Sequence, residues 1–427
     1  LLSLKRKALL AGLLGNAIEW YDFALYGHFS MIIGQTFFPK EKPELAMLSA
    51  FALFSVSFFM RPLGALVFSY IGDRYGRKRA LYWSMLGMAL PTACIGFLPG
   101  YHQIGVVSTL GLILIRLLQG LALGGEMGGA ITYVMENSPP GRTGLCSSLI
   151  QASTCFGTLM GSLISSLLAM MMTEANFENW GWRLPFVLGL VAAWIGNYIR
   201  RQMPESVLYE QARDSKLLAK NPISDLLSFH RKPLLIGTAI LIPMTSSFFM
   251  AFVYFNSFMT KEMNFSLGQA LLVTSTGLVL AILTTLLGGV IADRWGAKPL
   301  LSASLWLLLV GIFPILVVLT GKPGWISLMS VYLCLCGLVG LYTSAAFGLL
   351  SNLFPTAVRY SGVSFAINIA SPIFGSTVPL LATWLIQKNG LTSGLQVLAM
   401  YLFFCFGLGL LAVRHLPTFD VVVRSRH

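Results

Sequence analysis

Apolar runs of about 20 residues or more alternate with short polar breaks along the whole chain. Twelve can be drawn: 8–33, 46–70, 80–98, 106–136, 144–172, 182–200, 233–260, 266–291, 299–319, 325–352, 360–387 and 392–414. At 1.5 Å of rise per residue, helices of that length cover a ~30 Å hydrocarbon core. The short alternating segments of a membrane β-barrel are absent from the sequence. The expected fold is therefore an all-α membrane protein with twelve transmembrane helices. Several runs exceed a simple crossing, and Pro62, Pro243 and Pro372 supply places to bend.

Two of the polar breaks nearly repeat one another. Gly72-Asp73-Arg74-Tyr75-Gly76-Arg77-Lys78 joins the second and third runs, and Ala292-Asp293-Arg294-Trp295-Gly296-Ala297-Lys298 joins the eighth and ninth. So short a connection makes a helical hairpin, and finding it in both halves predicts a duplication into two six-helix bundles, 1–200 and 233–427. The connection 201–232 is the longest polar one, with Glu205, Glu210, Arg213, Asp214 and Lys216 among its charges. Its 205–219 portion reads either as an amphipathic helix or as a solvated tether. A duplicated membrane protein points to transport.

Composition agrees. With 56% hydrophobic and 11% charged residues and a mean hydropathy of +0.75, too little polar surface exists to coat a water-soluble globule. The net charge of +13 raises nucleic acid as a partner, but its placement argues otherwise. Most of the 29 Lys and Arg fall at the termini or in even-numbered connections. The positive-inside rule then puts both termini and both repeated turns in the cytoplasm. The basic lead-in Leu1 to Lys7 runs straight into a long span, which is not the pattern of a cleaved signal peptide. Six cysteines form no framework and no metal-ligand spacing, so neither metal nor cofactor is expected.

Charge inside the spans carries the functional signal, because each ionised group near the bilayer centre costs about 2.5–3.5 kcal/mol on insertion scales. Five such groups stand out: Glu19, Asp22, Arg61, Arg116 and Glu126. Glu19 and Asp22, three apart, share a face of the first span with Asn16 and Tyr26 near the same stripe. By helical rise Glu19 and Arg116 each lie roughly 15 Å inside their spans, so they can meet near midplane. A carboxylate that either pairs with Arg116 or takes a proton would free that Arg for a substrate carboxylate; a permanent structural bridge is the alternative. Glu126 is a second candidate for the protonated group or else a structural hydrogen-bond acceptor. Arg61 either reads substrate charge or locks the second span. Tyr254, Asn256, Asn368 and Ser371 are polar positions that could complete a cavity in the second half or simply join helices. Gly120, Gly124 and Gly128, spaced by four, permit close helix approach. Asp73, Arg74, Gly76 and Arg77, with Glu136 and with Asp293, Arg294 and Gly296, read as a gate: each Asp can reach a helix N-terminus across the seam, and an Arg of the turn can meet Glu136.

The repeated turn resembles the signature of the major facilitator superfamily. In that signature a Gly stands four residues before the Asp; Gly289 fits it, and Ser69 replaces it in the first copy. Gly15-Asn16-Ala17-Ile18-Glu19-Trp20-Tyr21-Asp22-Phe23, Arg61-Pro62-Leu63-Gly64, Arg116-Leu117-Leu118-Gln119-Gly120, Gly124-Gly125-Glu126-Met127-Gly128-Gly129, Trp182-Arg183-Leu184-Pro185-Phe186 and Phe354-Pro355-Thr356-Ala357-Val358-Arg359 narrow it. Together they resemble the metabolite:proton symporter branch of proline/betaine, α-ketoglutarate, shikimate and citrate carriers. Met127 and Asn352 depart from it, where Trp and Glu are expected. The resemblance implies a central cavity opening alternately to each side, and proton-driven uptake of a small carboxylate-bearing metabolite across a bacterial inner membrane by a monomer. Its partners would be substrate, protons and lipid. An exporter of a siderophore or drug-like compound and a non-transporting sensor are the competing readings; an enzyme lacks any nucleophile-base spacing.

Overall fold

The computed structural model describes residues 2–39, 43–202, 204–216, 218–321 and 324–416. The basic side chains of Lys5, Arg6 and Lys7, Lys40, Lys42 and Lys322, and the tail 417–427 fall outside the described part. Among the described residues eleven helices are long and apolar enough to cross a bilayer: Leu48–Tyr75, Arg77–Phe97, Val106–Glu136, Thr143–Met171, Gly181–Arg201, Arg231–Glu262, Leu267–Trp295, Ala297–Thr320, Trp325–Asn352, Thr356–Asn389 and Leu391–Arg414. Leu2–His28 precedes them as the first span, and no strand occurs among the described residues. They are called spans one to twelve below.

The bends sit close to the sequence's own signals. Span two breaks at Met60, just before Arg61-Pro62, and span four breaks at Gly124-Gly125. Span eleven widens into a π-turn over Ser371–Gly375, where Pro372 has no N–H to give the regular ladder. Span seven keeps Pro243 inside its helix and carries its π-turn later, at Met250–Tyr254. The connection after span six is partly helical, as Val207–Asp214 and Pro222–Phe229.

Packing repeats with the duplication. Span one lies on five and six, and span three on four and six; in the second half seven lies on eleven and twelve, and nine on ten and twelve. Two pairs pack most extensively across the seam between the bundles, span two with eleven and span five with eight, again equivalent under the repeat. At each repeated turn the chain reverses through a Gly with positive φ, 114° at Gly76 and 98° at Gly296. Only Gly adopts that backbone without strain, which explains its place in both copies.

The seam is closed at the end bearing the turns. At its middle a cavity of about 20 Å³ remains, lined from the first half by Trp20, Met127, Gln151 and Thr154 and from the second by Met244, Phe248, Phe249 and Ser371 among others. At the opposite end a vestibule of about 510 Å³ separates the halves, with His28 and Asn256 on its wall.

Candidate functional site

Around the middle of the first half the helices bring four buried charges into two ion pairs and leave two charges unpaired. Glu19 does not meet Arg116, contrary to the expectation from depth alone. It accepts a hydrogen bond at 2.8 Å from Arg61 of span two. The reason is azimuth: residues three apart differ by about 60° around the helix, so Glu19 faces span two while Asp22 faces spans three and six. Both members of the pair are fully buried, and the Arg61 guanidinium also lies 4.9 Å from the centre of the Phe58 ring. Glu126 pairs with Arg200 of span six and accepts from Ser84 at 2.5 Å. Arg200 also donates to the Leu81 carbonyl at 2.7 Å. Arg200 was missed in the sequence because it ends a span and read as one more positive-inside charge; its side chain turns inward instead.

Arg116 is buried, and among the described residues no carboxylate lies within ion-pairing distance of it. It donates to Gln119 Oε1 at 2.9 Å and to Ser57 Oγ at 2.7 Å, with its guanidinium 4.0 Å from the Tyr26 ring centre. Gln119 in turn donates to Thr92 Oγ1 at 2.7 Å, and Thr92 is the polar neighbour of Asp22. The Thr92 hydroxyl stands between two acceptors, the Met88 carbonyl at 3.1 Å and the Asp22 carboxylate. Asp22 is buried without an ion-pair partner among the described residues, beside the close approach of Gly189. A polar thread, Arg116 to Gln119 to Thr92, thus runs from an unpaired cation to an unpaired acid. Gln119 carried a readable signal, three residues after Arg116 on an apolar helix.

The remaining candidates divide. Asn16 donates to Ile150 O, Ser153 and Thr154 and so fastens span one to span five. The Tyr26 hydroxyl donates to the Ala50 carbonyl at 3.3 Å. Asn368 crosses the seam to the Gly124 carbonyl at 2.6 Å. Tyr254 is buried against Phe258, and Asn256 lies on the outer vestibule. Of the four second-half candidates, Ser371 lines the central cavity and Tyr254, Asn256 and Asn368 do not. An aromatic layer caps the charges there: Phe249 of span seven lies 5.2 Å from Phe58 and 5.9 Å from Phe54 between ring centres, and Trp20 lies 4.9 Å from Phe248.

At the turn end, Asp73 accepts from the Tyr360 and Ser361 N–H groups at 3.3 and 3.0 Å and from the Ser361 hydroxyl at 2.7 Å, at the start of the span-eleven helix. Asp293 accepts from Gly144 and Leu145 N–H at 2.7 and 3.0 Å, at the start of span five. A carboxylate facing a helix N-terminus is stabilised by both the unpaired N–H groups and the helix dipole. Glu136 meets Arg77 at 3.1 Å and Arg359 of the second half at 3.4 Å, and Arg77 also donates to Thr356 O at 3.0 Å across the seam. Arg74 takes no part in this; it donates to the Lys220 carbonyl at 2.8 Å, and Arg294 is exposed. Glu205, beyond span six, accepts from Arg77 N at 3.0 Å and Lys78 N at 3.3 Å. Burial pushes its carboxyl up, against the pull of those N–H groups.

Comparison with known proteins agrees with this architecture. Residues 7–227 match the family model "Sugar (and other) transporter" and residues 239–425 match "Major Facilitator Superfamily". The chain is 36% identical over 416 residues to the inner membrane metabolite transport protein YhjE of Escherichia coli, covering 96% of this chain and 93% of that protein. It is 31% identical over 416 residues to the proline/betaine transporter of Escherichia coli, covering 95% and 82%. Among solved structures, the proton:xylose symporter XylE of E. coli with 6-bromo-6-deoxy-D-glucose bound superposes with a TM-score of 0.80 at 17% identity, over 97% of this chain and 96% of that one. The duplicated bundles, the doubled turn and these full-length matches place the chain in one family: it belongs to the major facilitator superfamily of membrane transporters.

Proposed function

We propose that the protein couples proton movement to uptake of a small carboxylate-bearing solute, an organic acid or a zwitterion, by alternating access. The observation that supports this reading most directly is Arg116, a buried cation whose described partners are neutral, joined through Gln119 and Thr92 to an Asp22 that has no counter-charge among the described residues either. Burying a charge without a counter-charge costs several kcal/mol, and a substrate carboxylate on Arg116 or a proton on Asp22 relieves that cost. The two events answer each other in sign, which is what symport needs. The relatives named for metabolite and proline/betaine transport favour the same substrate class. Positive-inside placement puts the closed end in the cytoplasm, so the vestibule faces the periplasm and receives the solute. The Phe249 layer must then withdraw for the solute to reach Arg116.

Reconstituted into liposomes with a pH-sensitive dye inside, the protein should acidify the lumen when proline, glycine betaine or α-ketoglutarate is added outside and taken up. Solute entry that is indifferent to a collapsed pH gradient removes the coupling and leaves a facilitator.

A further inference from the structure

A cleft of about 1530 Å³ opens at the turn end of the second half, between the ends of spans eight, nine, ten and twelve and the start of span five. Its charged lining among the described residues is Lys298 and Arg414; no acidic side chain lines it, and Asn352 stands on its wall where the family resemblance expects Glu. Lys298 donates to the carbonyls of Leu416 at 3.0 Å and Arg414 at 3.4 Å, leaving one of three ammonium protons uncommitted. Apolar wall runs inward from these cations: Trp306 lies roughly 14 Å from the start of span nine and Phe403 roughly 16 Å from the end of span twelve. That depth is one leaflet of a ~30 Å hydrocarbon core. Trp306 and Phe404 are 55% and 56% exposed.

At the matching turn of the first half Glu205 presents its carboxylate to the N–H groups of Arg77 and Lys78, and Glu205 and Tyr209 stand against Gly76. At the second turn, Pro299 is what a side chain at Gly296 would meet among the described residues. We infer that the cleft binds an anionic phospholipid of the leaflet at the turn end, its phosphate on Lys298 and Arg414 and an acyl chain along Trp306, Phe403 and Phe404. The tail beyond Leu416, which carries Phe419 and Val421 to Val423 beside Asp420, Arg424 and Arg426, is the competing occupant that truncation after Leu416 tests. Gly144, which donates to Asp293, forms part of the inner wall, so a seated lipid would favour the closed seam.

Bromine on an acyl chain quenches nearby Trp fluorescence, and the test uses the full chain in mixed micelles titrated with brominated phosphatidylglycerol or brominated phosphatidylcholine. Phosphatidylglycerol should saturate quenching at a roughly tenfold lower mole fraction. Trp306→Phe should remove most of the saturable component. Lys298→Gln with Arg414→Gln should abolish the preference, while Lys298→Arg with Arg414→Lys should keep it, separating charge from folding. Equal saturation by the two lipids, a preference that survives the double Gln variant, or a preference gained only when the chain is cut after Leu416 would overturn the assignment.

Discussion

Arg116 and Asp22 are the two buried charges whose described surroundings offer no opposite charge, and the transport chemistry proposed above rests on them. Arg116→Ala should insert and fold normally yet lose solute uptake by at least about a hundredfold, the order expected when a buried charge-assisted contact is removed; normal uptake would end the role assigned to it. Asp22→Asn should still exchange labelled for unlabelled solute but fail to accumulate it against a gradient, which counterflow and accumulation assays measure separately. The paired charges call for a different expectation. Arg200→Ala leaves Glu126 buried and uncompensated and should cost about 3–5 kcal/mol of stability, read as a loss of thermal resistance in detergent; Glu126→Gln with Arg200→Gln should recover part of it. The sequence located five of these six buried charges by depth, because long apolar runs make a charge conspicuous, and missed Arg200 at the end of its span. It did not fix their partners: depth along an axis is readable from numbering, whereas the Glu19–Arg61 and Glu126–Arg200 pairings depend on helix rotation and on side chains reaching in from span ends.

Each repeated turn is an element with one task, to set a carboxylate against a helix N-terminus on the other half. Spacing made such a contact expected, since in both copies a Gly reverses the chain three residues after the Asp, at Gly76 and Gly296, and leaves the Asp in the last turn of its helix at the seam. What spacing left open was which Arg served Glu136, and the answer, Arg77 rather than Arg74, depends on Arg77 beginning the next helix inside the seam. The copies also differ. A Cβ on Gly289 would collide with the Ser148 side chain and lie 2.9 Å from the Gly144 carbonyl, so Gly289→Ser should separate spans five and eight and weaken closure there. In the first copy Ser69 already occupies this place, its hydroxyl turned to the Ala65 carbonyl of its own helix, and Ser69→Gly should change transport less than twofold. Solute uptake rates for the two variants, with surface expression as control, check the asymmetry; equal effects would refute it.

For the whole molecule, alternating access as proposed above sets the two Asp carboxylates to act in parallel on one equilibrium, the seam at the turn end being closed or open. Twelve spans and their duplication were legible because both are periodic properties of hydropathy. The pairing of span two with eleven and five with eight was not, since nothing local in either sequence names a partner more than a hundred residues away. Losing the charge at one latch should cost the closed state about 2 kcal/mol, the worth of hydrogen bonds to a charged group, or roughly thirtyfold in population. The two sites share no partner, so their effects should nearly add. Cys146 offers a native reporter: it is 3% exposed on span five, two residues past Gly144, and closure against span eight covers it. In Asp293→Asn a membrane-impermeant maleimide should label Cys146 at least about tenfold faster, and in Asp73→Asn with Asp293→Asn faster again, while Cys146→Ser abolishes the added signal. Asp293→Glu, which keeps the charge but lengthens the arm, should fall between the wild type and Asn. Labelling unchanged across the series would mean that the carboxylates stabilise the fold without biasing the seam.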